Sequence, residues 1–181
     1  MTLAEHLEHF YQKYNLPANG GENHNSFEVP LPIFTLTLPN LSWRKKMLYI
    51  HDLEHILNDQ DTTWKGEMFI ASWEIASGFW RNFPIIIFPL WTMGWGIWKH
   101  PKSVLAGFKA GNSSFGIANL NIEKQELLAL DLSELKELTK RTFLKKSSFF
   151  VYFKLFIWII ISQLVFLMPI IILFSFLFII F

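Results

Sequence analysis

The sequence predicts an all-α protein: a helical bundle domain with a C-terminal transmembrane helix. Three observations carry that expectation. Apolar residues recur at helical spacing in most segments between turns, as in Leu3, Leu7, Phe10, Tyr11 and Tyr14. The alternation a strand needs is confined to Phe34-Thr35-Leu36-Thr37-Leu38, and Pro30, Pro32 and Pro39 around it allow at most an edge hairpin. Leu155 to Phe181 is 27 residues without an ionisable side chain. As a helix at about 1.5 Å per residue it reaches about 40 Å, enough to cross a bilayer core once, with Pro169 tolerable inside it. A boundary after residue 147 then divides a helical domain, 1–147, from an anchor, 148–181.

In chain order, residues 3–14 form an amphipathic helix whose His6 and His9 sit on the solvated face, and Asn19-Gly20-Gly21 ends it. Asn40 or Ser42 is placed to cap a helix running to about Leu57, with Met47, Ile50, Leu53, Ile56 and Leu57 as its apolar stripe. The polar turn Asn58-Asp59-Gln60-Asp61 leads to a Thr62/Thr63 cap and a helix from Trp64 to about Trp80. So short a connection makes the two helices antiparallel neighbours, which lets Glu67 approach His55. Residues 83–98 hold no charge but are interrupted by Pro84, Pro89, Gly94 and Gly96. Trp91, Trp95 and Trp98 make a one-sided stripe there, open to three readings: a buried core helix, a lipid groove or interface element, or a second span. After Pro101 a helix runs to about Gly111, a Gly/Ser/Asn-rich loop to Asn119, and a weak helix over 121–130. Asp131-Leu132-Ser133-Glu134 reads as the capping-box start of a helix through Arg141.

Composition narrows the chemistry. The net charge of +1 hides a split: residues 1–80 carry ten acids and five bases, residues 81–181 five acids and eleven bases. Basic residues gathered in the half with the apolar tail suit anionic headgroups, and no basic run interleaves with aromatics, so membrane is expected and nucleic acid is not. The absence of cysteine excludes disulfides, thiolate nucleophiles and iron–sulfur clusters, leaving His and carboxylates as metal ligands. Met1-Thr2-Leu3-Ala4-Glu5-His6 does not read as a signal peptide. Lys140, Arg141, Lys145, Lys146 and Lys154 all precede the apolar stretch, so the positive-inside rule predicts a single-pass anchor in the cytoplasmic membrane with residues 1–150 facing the cytoplasm.

Four candidate ligands fall within seventeen residues: His51, Asp52, His55 and Glu67. His51 and His55 are one turn apart on one helix face, the spacing by which two imidazoles reach a single ion, and Asp52 can ligate or orient an imidazole. Such a set suits a divalent metal, with zinc expected first and iron or manganese as alternatives; the bland alternative is solvated or core-satisfied polar residues. Glu54, the only nearby candidate for an assisting base in a lipid hydrolase, points about 60° from His51 and is expected to be solvated. His24 and Asp131 lack the helical context for a phosphohydrolase set.

The order His51-Asp52-x-x-His55, eleven intervening residues, then Glu67 resembles the signature of the coenzyme Q biosynthesis family called Coq-four. Gly66-Glu67, Ala71-Ser72-Trp73-Glu74, Ser77-Gly78 and Gly107-Phe108-Lys109-Ala110-Gly111 extend the resemblance to its bacterial branch, over roughly residues 5–140. The resemblance implies an all-helical fold and a metal held by His51, Asp52, His55 and Glu67 beside an apolar groove for a polyprenyl lipid. It also implies a role in ubiquinone biosynthesis, removing the carboxyl group at C1 of a prenylated quinone precursor with oxidation at that carbon. The alternative is a lipid-binding scaffold for other quinone-biosynthesis enzymes, with a structural metal; a homo-oligomer and another long-chain lipid are further partners to consider. Asn58-Asp59 stands where relatives have a Gly-containing turn, and the C-terminal span is not part of the general family pattern.

Overall fold

The computed structural model describes residues 1–30, 34–79, 83–141 and 148–180. Among them are eight α-helices and one two-stranded sheet, so the expected all-α class holds with its single hairpin. The chain forms two compact units: residues 1–59 with 120–138, and residues 60–119 with 139–181.

The first unit begins with α1 (Leu3–Lys13), started by a capping box. The Thr2 backbone N–H donates to Glu5 Oε2 at 2.8 Å and the Glu5 N–H to Thr2 Oγ1 at 3.3 Å, satisfying donors that a helix start otherwise leaves open. Leu3, Leu7, Phe10 and Tyr11 turn inward from it. β1 (Ser26–Pro30) pairs antiparallel with β2 (Thr35–Pro39), Ser26 opposite Pro39. Pro32, expected in the turn between them, lies outside the described residues. α2 (Ser42–Leu57) follows, but neither Asn40 nor Ser42 caps it: Leu41 holds the cap position without a side-chain bond. Asn40 is committed elsewhere. Its buried amide donates to the carbonyls of Gly21 at 3.2 Å and His24 at 3.0 Å, stitching that loop to the helix start, while Arg44 donates to its oxygen. The short α6 (Lys124–Ala129) and α7 (Leu132–Thr139) complete the unit. The Leu3 N–H donates to Leu130 O, and the predicted box at Asp131 forms, Asp131 N–H to Glu134 Oε2 at 2.8 Å and Glu134 N–H to Asp131 Oδ1 at 2.9 Å.

In the second unit α3 (Trp64–Ser77) starts at Thr63, whose hydroxyl accepts from the Gly66 N–H. It ends before the expected Trp80, which is itself outside the described residues, because Gly78 takes a left-handed cap at φ 112°. α4 (Ile87–Lys99) and α5 (Pro101–Asn112) follow with only His100 between them. α5 lies backbone to backbone on α3: a Cβ at Gly107 would strike the Phe69 carbonyl, and one at Gly111 the Trp73 carbonyl. With no side chain at either position, Phe108 and Trp73 close into the core at 1% exposure each.

The last helix, α8 (Ser148–Ile180), starts seven residues before the charge-free stretch and runs through Pro169. It is long and apolar enough to cross a membrane, and only 11% of its most apolar window is buried in the protein. The predicted boundary after residue 147, with Lys145 and Lys146, lies outside the described residues.

Gly107→Ala is expected to lower stability by about 1–3 kcal/mol by wedging α5 off α3, whereas Lys109→Ala on the exposed side of the same helix should stay within about 0.5 kcal/mol of wild type. Thermal unfolding of the full chain in detergent, followed by circular dichroism, measures both.

Candidate metal centre

The residues of interest on α2 occupy its last two turns, where a helix would ordinarily place only apolar side chains inward. Here Asp52, Glu54 and His55 are buried beside Ile50 and Leu53. Such burial is costly for polar groups unless something specific engages them. His51 is half-buried, and its Nε2 lies 3.3 Å from Nε2 of His55. The rings meet edge to face, with centroids 4.9 Å apart. His55 is 1% exposed and its ring rests 5.8 Å from Phe10 of α1.

That spacing is compatible with two chemistries. Two nitrogens 3.3 Å apart, each about 2.05 Å from one ion, subtend an angle of about 107° there, close to the tetrahedral value zinc adopts. The imidazole pair is already at the separation of two ligands on a tetrahedral ion. In a metal-free state the same distance accommodates one N–H donating to the other nitrogen, with the tautomer setting the direction.

Asp52 behaves differently. Its carboxylate accepts from the Tyr11 hydroxyl at 3.0 Å, which ties α2 to α1, and it stands outside the groups of side chains able to hold an ion. Its helix position, about 100° from His51, already turned it off the histidine face. Glu54 corrects an expectation: it is fully buried rather than solvated. An offset of 60° is that of i,i+3 neighbours, which share a face, so the burial of His51's side of the helix takes Glu54 with it.

Among the described residues, His51, Glu54 and His55 of α2 are side chains of metal-ligating type in the first unit, and Glu67 and Glu74 of α3 are such side chains in the second. Glu67, in the first turn of α3, is half-buried, and Glu74 is 3% exposed. Glu54 and Glu74 were not predicted as ligands, although a signal existed for Glu74: seven residues beyond Glu67 is two turns along the same helix face. The considered phosphohydrolase set does not arise among the described residues: His24 and Asp131 are absent from these groups. Asp131 serves its capping box, and the Ser133 hydroxyl and then the Glu134 N–H hold its carboxyl below the usual range.

The three tryptophans belong to another surface. Trp91 and Trp95 set their rings 5.6 and 6.0 Å from Phe166 of α8, and Trp98, 70% exposed, donates from Nε1 to Gln163 Oε1 at 3.0 Å.

Burial first, and the adjacent Asp52 carboxylate second, push the Tyr11 phenol well above its ordinary value. The folded state therefore holds this proton more tightly than the unfolded chain, so the stabilisation is complete below the unfolded value of about 10 and is lost as pH rises beyond it. Tyr11→Phe is expected to cost about 1–3 kcal/mol near neutrality, because the buried Asp52 loses its donor, and to flatten the decline in melting temperature above about pH 10. Thermal melts of both proteins across that range decide it. Compared with models of protein families, with curated proteins and with solved structures, the chain matches none.

Proposed function

We propose that this chain is a membrane-anchored, divalent-metal protein of Coq-four type, acting at the cytoplasmic membrane on a prenylated quinone precursor. The observation that carries the metal is the His51–His55 pair, whose Nε2 atoms stand 3.3 Å apart on a buried helix face. Zinc is the ion that separation favours, by its tetrahedral angle. Glu67 joins the set through the spacing of the motif and the short turn 58–63, and Asp52, held by Tyr11, fixes the rotation of α2 rather than being required as a ligand. The anchor rests on α8, whose apolar surface is left largely uncovered by the protein. The substrate rests on the resemblance of His51-Asp52-x-x-His55 and Glu67 to the family signature, and on the long-chain lipid phase that an anchor gives access to.

A divalent ion held by His51, His55 and Glu67 would supply Lewis acidity toward an oxygen of the substrate. The chain's own contribution is to exclude water around His55 and Glu54 and to hold two imidazoles at ligand separation. The scaffold reading differs in one consequence. A metal that only clamps helices is coordinatively closed and its loss lowers the melting temperature, whereas a metal with an open position can be lost with the fold intact.

Purified full-length protein is expected to carry about one divalent ion per chain, by elemental analysis, and His55→Ala and Glu67→Ala to lose most of it. Metal content unchanged in both variants, or absent in wild type, defeats the metal reading. Mass spectrometry of lipids that co-purify in detergent tests the substrate: a prenylated quinone precursor is expected, and only bulk phospholipid counts against it. An unchanged melting temperature in metal-depleted Glu67→Ala favours catalysis over the scaffold.

A further inference from the structure

α4 is composed for a place where water is scarce. Residues 83–98 contain no charge, and of their side chains Phe83 is 80% exposed, Ile87 45% and Trp98 70%. The helix reaches α8 within the stretch of that helix that carries no ionisable side chain. At Gly94 a Cβ would lie 2.7 Å from the Ser162 carbonyl and 2.6 Å from Phe166 Cβ, so the absence of a side chain is what lets the two backbones touch. Close approach at Gly against Ser is how helices pack in lipid, where burying hydrocarbon brings them no advantage.

The polar groups at the crossing are paired with each other. Gln163 is the one amide side chain in the charge-free stretch; its Nε2 donates to Gly94 O at 2.8 Å and its Oε1 accepts from Trp98 Nε1 at 3.0 Å. An exposed glutamine on a water-facing helix needs no such partners, but one in hydrocarbon does. Depth follows from chain length. Ser162 and Phe166 lie eight and twelve residues beyond Lys154, the last charge on α8. That is about 12–18 Å along the helix, well inside a hydrocarbon core about 30 Å thick.

Charge supports the same orientation. The unit made of residues 60–119 and 139–181 carries ten Lys and Arg against three Asp and Glu, a net of +7, and all three acids, Asp61, Glu67 and Glu74, precede residue 75. Lys99, at the end of α4, folds its ammonium back to 5.1 Å from the Trp95 ring centroid, a cation–π contact that shields part of the charge.

We propose that α4 is a second membrane-embedded element: it lies in the lipid acyl layer against α8, packed through Gly94 and Gln163, with Lys109, over Tyr152 beside Lys154, toward anionic headgroups. This inference rests on the reading of α8 as the anchor. It supplies a lipid-facing surface, built on the same unit as Glu67 and Glu74, from which a long-chain substrate can leave the bilayer.

The absence of native cysteine makes the test direct. Full-length Phe83→Cys, Ile87→Cys, Leu164→Cys and Glu28→Cys are reconstituted into vesicles of phosphatidylcholine and phosphatidylglycerol and treated with a membrane-impermeant maleimide. Phe83→Cys and Ile87→Cys are expected to react roughly 10-fold or more slowly than the water-facing Glu28→Cys, and bimane attached there in detergent before reconstitution to be quenched by nitroxide-bearing acyl chains. If Leu164→Cys is protected while Phe83→Cys and Ile87→Cys react as fast as Glu28→Cys, the inference falls and the anchor stands. If Leu164→Cys reacts as well, the anchor falls and takes the inference with it. Protection without quenching overturns it too, and points to a second copy of the chain covering α4.

Discussion

The uncovered hydrocarbon surface of α8 is the constraint on which most of the second unit depends. A helix with only 11% of its most apolar window buried cannot offset its exposure by packing against its own protein. At roughly 25 cal/mol per Å² of apolar surface, the preference for a lipid surrounding far exceeds what any single contact in the unit contributes. If α8 crosses a membrane as proposed, everything touching it must be compatible with that surrounding. α4 satisfies the condition with a charge-free sequence, a glycine at the crossing and a glutamine whose amide is engaged on both sides. α5 meets it at the polar margin, where Lys109 lies 5.0 Å over the Tyr152 ring.

The first unit is governed by the opposite problem, polar groups taken away from water. Asp52, Glu54 and His55 are all at or below 7% exposure within four residues of one helix. Burying three such groups together is expensive, and packing alone would have favoured leucine at each. Tyr11 offsets part of the cost at Asp52 by donating its hydroxyl, and the histidines are drawn to within 3.3 Å of one another. A buried cluster of such groups is where chemistry is to be sought. The proposed metal site draws on that burial and on the closeness of the two imidazoles.

Much of this was legible in one dimension because the relevant signals are local. The α1 stripe, the Thr63 cap, Pro101 at a helix start and the Asp131-Glu134 box depend on residues a few positions apart, and each formed where the pattern placed it, whereas of the expected α2 stripe only Ile50 and Leu53 are buried. Asn40 failed as a cap for a nonlocal reason. Its amide is claimed by the carbonyls of Gly21 and His24, nearly twenty residues upstream, and such a competitor leaves no mark next to the helix start. Glu54 was misjudged because helical angle tells which residues share a face but not whether that face is covered.

By itself, then, the sequence determined the helical class, the single hairpin, a tail apolar enough for a bilayer, and the His51–His55 pair with Glu67 as metal-ligating types. Those properties are set by composition and by periods of two to seven residues, which survive without knowledge of any neighbour. Only the tertiary structure decided that Asp52 answers to Tyr11, that Glu54 and Glu74 are buried, and that the tryptophan stripe of α4 rests on Phe166 and Gln163 of α8. Each of these depends on contacts between segments tens of residues apart. Burial and hydrogen-bond partnership belong to pairs of surfaces, and one strand of sequence describes only one surface at a time.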